Sequence, residues 1–84
     1  MAEINYEKTL SDIVRPLCSE PDAVMVKQME SMKENEIVLY IYAPNNDLGR
    51  LIGKKGMMAQ AIRSMMQVAG KINHKRINIR FEAI

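Results

Sequence analysis

Two glycines, Gly53 and Gly56, enclose two lysines in the stretch DLGRLIGKKGMMAQAIRSMMQVAG, residues 47–70. Glycine disfavours a helix and adjacent ammonium groups repel, yet both stand where an amphipathic helix begins. Glycine turns the chain sharply because it takes positive φ without steric cost. The first amides of a helix have no intrahelical acceptor and carry a partial positive charge. Lys54 and Lys55 at that point are tolerable if an anion lies between them and the helix end, and phosphate fits that chemistry. A helix–helix turn with solvated lysines is the plainer alternative.

Other phosphate motifs fit worse. A P-loop needs four residues between its first glycine and Gly-Lys-Ser/Thr. Here Gly49 and Gly53 enclose three, and Lys55 stands where the magnesium-binding hydroxyl would be. The dinucleotide fingerprint fails on glycine spacing and because no strand directly precedes it. Nucleophile, acid–base and metal chemistry have no constellation. Cys18 lacks a CxxC partner, His74 has no neighbouring ligand, and no carboxylate pair is buried by pattern. The sequence therefore indicates no catalytic residue, metal site or cofactor.

The elements that would position the loop follow from periodicity. Residues 4–18 place Tyr6, Leu10, Ile13, Val14 and Leu17 on one helical face, with Pro16 bending the last turn and Pro21 ending it. Residues 23–31 read as a strand and Lys33 to Asn35 as a turn. Residues 36–43, EIVLYIYA, read as a strand with Ile37, Leu39 and Ile41 on one face and Val38, Tyr40 and Tyr42 on the other. The short connection between the two favours an antiparallel hairpin. Asn45 or Asn46 is the expected cap of a short helix over 47–52. A second helix over 56–69 carries Met58, Ile62, Met65, Met66 and Ala69, with Gly70 as its expected C-cap. Residues 76–83 alternate, with Ile77, Ile79 and Phe81 directed inward. The order α-β-β-α-α-β, three strands and three helices on one face, is a two-layer α+β domain.

Length and composition set bounds. Eighty-four residues make one domain. The hydrophobic share of 48% and charged share of 26% are those of a globular protein. A single cysteine excludes an internal disulfide framework and suits a reducing compartment. MAEINYEK has no basic start followed by an apolar run, and the run at 37–43 is far below the roughly 20 residues of a membrane span, so a soluble cytoplasmic protein without membrane contact is expected. The net charge of +2 hides an asymmetry: residues 1–45 carry four basic against eight acidic side chains, residues 46–84 eight against two. That distribution points the second half toward an anionic partner.

The segment LIGKKG between two helices, in this element order, resembles the I-G-x-x-G signature of a KH domain, and the extra leading helix and strand resemble the type II topology. IVRPLCSEPDAV, DLGRLIGKKG and AIRSMM, at their present spacing, are similar to the small bacterial KH-domain RNA-binding proteins of the KhpA (YlqC) family across nearly the whole chain. The resemblance implies a mixed sheet in which the second and third strands are parallel and the first pairs antiparallel with the second. It implies that Gly53, Lys54, Lys55 and Gly56 clamp the backbone of about four unpaired nucleotides. It further implies that Ile52 lines the apolar groove beneath the bases. Arg50, four residues before Lys54, is a candidate supporting phosphate contact. Relatives often place a basic or polar residue just after the second glycine, where this chain has Met57 and Met58.

The implied function is non-enzymatic, chaperone-like binding of single-stranded RNA. The alternative is a protein-interaction or dimerisation module with incidental RNA contact. The family also implies self-association as a homodimer and pairing with a larger RNA-binding protein of the KhpB (Jag) type. Adjacent positions on a helix are about 100° apart, so the methionines at 57, 58, 65 and 66 cannot all enter one core, and this helix is the candidate contact surface.

Overall fold

The computed structural model describes residues 5–29 and 31–84. Ile4, the expected start of the first helix, and Glu30, inside the expected first strand, lie outside the described residues.

The strict alternation of EIVLYIYA dictates the centre of the fold. Strand β2, Glu36–Ala43, buries Ile37, Leu39, Ile41 and Ala43 and leaves Val38, Tyr40 and Tyr42 half-exposed. Strand β1, Met25–Met29, pairs antiparallel with it, Val26 opposite Ile41 and Lys27 opposite Tyr40. Strand β3, Arg76–Ala83, pairs parallel on its other side, Ile77 opposite Ile37 and Ile79 opposite Leu39. The sheet order is β1-β2-β3, with β1 and β3 as edges. One face therefore presents an unbroken apolar surface, and the helices cover it.

Helix α1, Tyr6–Val14, starts where the Asn5 side chain accepts the Lys8 amide at 3.0 Å. Its buried residues Tyr6, Leu10 and Val14 recur every four positions. Pro16 does not break the chain. It sits in a 3-10 turn over Arg15–Leu17 that tightens the helix end. A second 3-10 turn, Pro21–Ala23, leads into β1, so that strand starts two residues later than its apolar run suggested.

Helix α2, Asn45–Ile52, is capped by Pro44, not by Asn45 or Asn46. The proline backbone has φ −59° and ψ 152°, and its carbonyl accepts the Leu48 amide at 2.9 Å. Asparagine is not needed as a cap because the fixed proline φ already directs the chain into the helix. Helix α3, Met57–Ile72, buries Ala59, Ile62, Met66 and Gly70. Gly70 lies inside the helix, and Asn73 caps it. A Cβ at Gly70 would stand 2.6 Å from the Lys75 carbonyl oxygen and 2.8 Å from Ile77 Cγ1. The glycine is there so that the chain entering β3 can cross directly over the helix. Phe81 is only half-buried at the sheet edge, where the helical layer has run out.

The core joins Leu10 and Val14 of α1, Leu39 and Ile41 of β2, Leu51 of α2 and Ile62 and Met66 of α3, all without solvent exposure. Ile62 is thus a core residue. The chain has the α-β-β-α-α-β order and mixed sheet of the type II KH fold.

Candidate nucleic-acid interface

Helix α2 ends because Gly53 adopts φ 74° with ψ 178°, a conformation open only to glycine. Its amide donates to the Gly49 carbonyl at 2.9 Å, closing the helix. The chain then makes one 3-10 turn, Lys54–Gly56, whose middle residue Lys55 is left-handed (φ 56°, ψ 26°). Gly56 is left-handed as well, φ 74° and ψ 13°. Three positive φ values in four residues reverse the chain between two helices within a single turn. A Cβ on Gly53 would lie 2.6 Å from the Met58 Cβ and 3.0 Å from the Met58 nitrogen. The loop is therefore folded against the first turn of α3, and only a hydrogen fits at Gly53. At Gly56 the space is open, so there the glycine serves the backbone angle alone.

Both lysines are exposed, and among the described residues neither ammonium has an ion-pair partner. No side chain caps the start of α3. The Met57 amide turns back to the Lys54 carbonyl. Two cations and the positive end of a sixteen-residue helix thus face the same solvent. Ile52, the last residue of α2, is 40% exposed beside them, an apolar surface next to a cationic one. Arg50, one turn before Lys54, is largely exposed, with its Nε 4.0 Å from the Asp47 carboxylate. Arg50 and Ile52 stand on different sides of the last turn of α2, about 200° apart, and both lie next to the loop that carries Lys54 and Lys55.

Asp47 is the determinant that charge counting missed. Its side chain has no solvent exposure. It accepts the Ser19 amide and hydroxyl, each at 2.8 Å, and the Glu20 amide at 3.1 Å. The Ser19 backbone hydrogen bond, above all, holds its carboxyl below the usual carboxylate range; burial opposes this, and the Ser19 hydroxyl, the Glu20 amide and the Arg50 charge assist. A buried carboxylate is retained only when satisfied in this way. It ties the segment before β1 to the first turn of α2, and so fixes the helix that delivers the loop. Burial above all, and then the Asp47 charge, push the Cys18 thiol up against the opposing pull of Arg50, which makes it a poor nucleophile.

A groove of about 490 Å³ lies along the β3 edge, lined by Arg63, Asn78, Ile79, Arg80, Phe81 and Glu82. The Arg63 guanidinium stands 5.5 Å from the centre of the Phe81 ring. Gln67 donates its side-chain amide to the Ile77 carbonyl and accepts the Ile77 amide at 3.4 Å. Ile77 therefore directs its backbone groups away from β2. By the alternation of a strand, Ile79 and Phe81 direct theirs the same way, along the open edge. Gln67 was not singled out in the sequence, where Arg63 reads as an arginine on the solvated face of the second helix. Arg63 lies seven residues after Gly56, two helical turns down the same face, and that spacing was the available signal. Among the described residues no three His, Cys, Asp or Glu side chains gather, and no helix is long and apolar enough to cross a membrane.

Comparison with known proteins agrees with this architecture. A family model described as "KhpA/KhpB, KH domain" matches residues 7–81. A Listeria monocytogenes protein named "RNA-binding protein KhpA" is 32% identical over 73 residues, 87% of this chain and 93% of the relative. The Bacillus subtilis protein of the same name is 32% identical over 77 residues, 92% of this chain and 93% of its own. Among solved structures, Aquifex aeolicus Era bound to GDP and aluminium fluoride superposes with a TM-score of 0.58 at 20% identity. That match covers 99% of this chain and 33% of the Era chain, a likeness of fold alone. With three-quarters or more of its length matched by the family model and by full-length relatives, this chain belongs to the KhpA/KhpB family of KH domains.

Proposed function

We propose that the chain is one KH domain that binds single-stranded RNA without catalysis, gripping the sugar-phosphate backbone at Gly53, Lys54, Lys55 and Gly56. The observation that carries this reading is the pair of exposed lysines, without an ion-pair partner among the described residues, on a loop of left-handed backbone at an uncapped helix start. The curated relatives' name, RNA-binding protein, supports it. Arg50 adds a cation one turn upstream, and Ile52 offers an apolar floor for a base. The open backbone groups of Ile79 and Phe81 can read base edges, with Gln67 closing the far end of that edge. A clamp on about three phosphates gives a salt slope near −2 and modest affinity.

Modest affinity favours assembly of two modules. Met65, Val68 and Ile72 on α3 are 47%, 66% and 63% exposed, and they share a stripe with Ala61. This stripe is the surface for self-association or for a KhpB (Jag)-type partner, and it is the observation that favours the second reading, a protein-interaction module. A cytoplasmic, chaperone-like RNA-binding role follows from the first. Crosslinking in cells separates them: Lys54→Asp/Lys55→Asp should abolish RNA adducts while circular dichroism and mass stay unchanged. Undiminished crosslinking would reject the clamp.

A further inference from the structure

The sheet face turned away from the helices has an organisation of its own. Tyr40 and Tyr42 stack on it, ring centres 6.0 Å apart and planes 17° from parallel. Tyr40 is flanked in register by Lys27 on β1 and Arg80 on β3. A cation, an aromatic ring and a second cation thus form one row across all three strands. Both cations are exposed, and among the described residues neither has an ion-pair partner. The rows on either side carry Met25 with Tyr42 and Met29 with Val38, and the two methionines are 50% and 40% exposed.

We infer that this open sheet face is a second nucleic-acid surface, on which bases of a single-stranded RNA extend the Tyr40–Tyr42 stack while Lys27 and Arg80 hold phosphates. Stacked rings with flanking cations form the general platform for unpaired nucleic acid, because every base has a π-face and every linkage a charge. Glu82, opposite Tyr42, repels phosphate and directs the strand over the Tyr40 row. The charge pattern favours RNA over a second copy of the face: a two-fold contact would bring the two cation rows together under desolvation. The inference rests on the RNA-binding reading above and extends it to a footprint longer than the loop. The molecule measures 36 × 24 × 23 Å. At about 3.4 Å or more per nucleotide, a strand of about 16 nucleotides covers roughly 54 Å, enough to reach from the loop to the sheet face.

Binding of oligouridylates of about 4 and about 16 nucleotides tests this. Tyrosine fluorescence is a second readout, since the chain has three tyrosines and no tryptophan. The Tyr40→Leu/Tyr42→Leu variant should bind the 16-mer about tenfold more weakly and the 4-mer as the wild type does. Lys27→Glu, at an exposed position on β1 remote from the loop and the β3-edge groove, should reproduce that pattern and stands as the test if the leucine variant does not fold. The 16-mer should quench wild-type tyrosine emission more than the 4-mer. Wild-type affinity for the 16-mer in the charge variant would overturn the inference and leave the loop reading intact. Failure of the wild type to bind either oligomer would overturn both. A change of mass in sedimentation with unchanged RNA affinity would make the face a protein contact and overturn it too.

Discussion

Replacing Gly53 and Gly56 separately by alanine probes how the loop is built. Gly53 has φ 74° and ψ 178°, a region that costs a side-chain-bearing residue about 1–3 kcal/mol. Its new Cβ would also lie 2.6 Å from the Met58 Cβ, an overpacking that adds about 1–3 kcal/mol. Reduced freedom of the unfolded chain returns only about 0.4–1 kcal/mol. The net loss for Gly53→Ala is about 1–5.5 kcal/mol. Gly56 has φ 74° and ψ 13° with nothing within 4 Å of a Cβ. The left-handed penalty of about 1–2 kcal/mol stands there alone. After the same offset, Gly56→Ala loses about 0–1.5 kcal/mol. At about 4–8 °C per kcal/mol in a domain of this size, the two midpoints should differ by roughly 10–20 °C, with Gly53→Ala the lower. Thermal unfolding followed by far-ultraviolet circular dichroism measures this. Equal midpoints, or a lower one for Gly56→Ala, would refute the claim that the first glycine is fixed by contact and the second by backbone angle.

Asp47→Asn should lower the melting temperature at neutral pH, since it weakens the acceptor of three hydrogen bonds. The folded carboxyl titrates below its unfolded value of about 4. Its contribution is therefore complete above pH 4 and fades as pH falls through the folded value, so the two proteins should converge in acid; a constant gap down to pH 2 would contradict the assigned cause. Gly70→Ala gains about 1 kcal/mol of helix propensity. Overpacking of about 1–3 kcal/mol, where the Cβ meets the Lys75 carbonyl and Ile77, should outweigh that gain and leave a net loss of up to about 2 kcal/mol in urea; a stabilised variant would show that the crossing has slack. Val68→Glu, on the exposed side of α3, should reduce the mass seen by light scattering without altering circular dichroism, and an unchanged mass would remove this stripe as the self-association surface. Ile62 is unsuited to that experiment, since it is fully buried and a charge there would unfold the core.

The period-two pattern of 36–43 and 76–83 and the period-3.6 pattern of α3 were legible because each buries one face, which ties sequence to geometry residue by residue. The parallel pairing of β2 with β3 came from the family resemblance. What the sequence concealed depends on contacts between distant segments. Gly70 looked like a helix end because glycine favours both ends and close crossings, and only the position of Lys75 decides between them. Asp47 entered the sequence reading only as one of two acids in a charge count, because its three donors lie 27 and 28 residues away. Pro44 displaced the asparagines as cap because a fixed φ serves where a side-chain acceptor otherwise would. The loop itself was legible: two glycines at that spacing demand an abrupt reversal, and the lysines between them have nowhere to point but outward.

The central claim is that Lys54 and Lys55 hold phosphate. Its most direct measurement is the salt dependence of affinity for an RNA of about four nucleotides, short enough to report on the loop alone. The wild type should show a slope of log affinity against log salt near −2. Lys54→Asn/Lys55→Asn should bring it to about −0.7 or shallower, the value for one remaining phosphate contact, with the melting temperature unchanged. An unchanged slope in that variant would contradict the account.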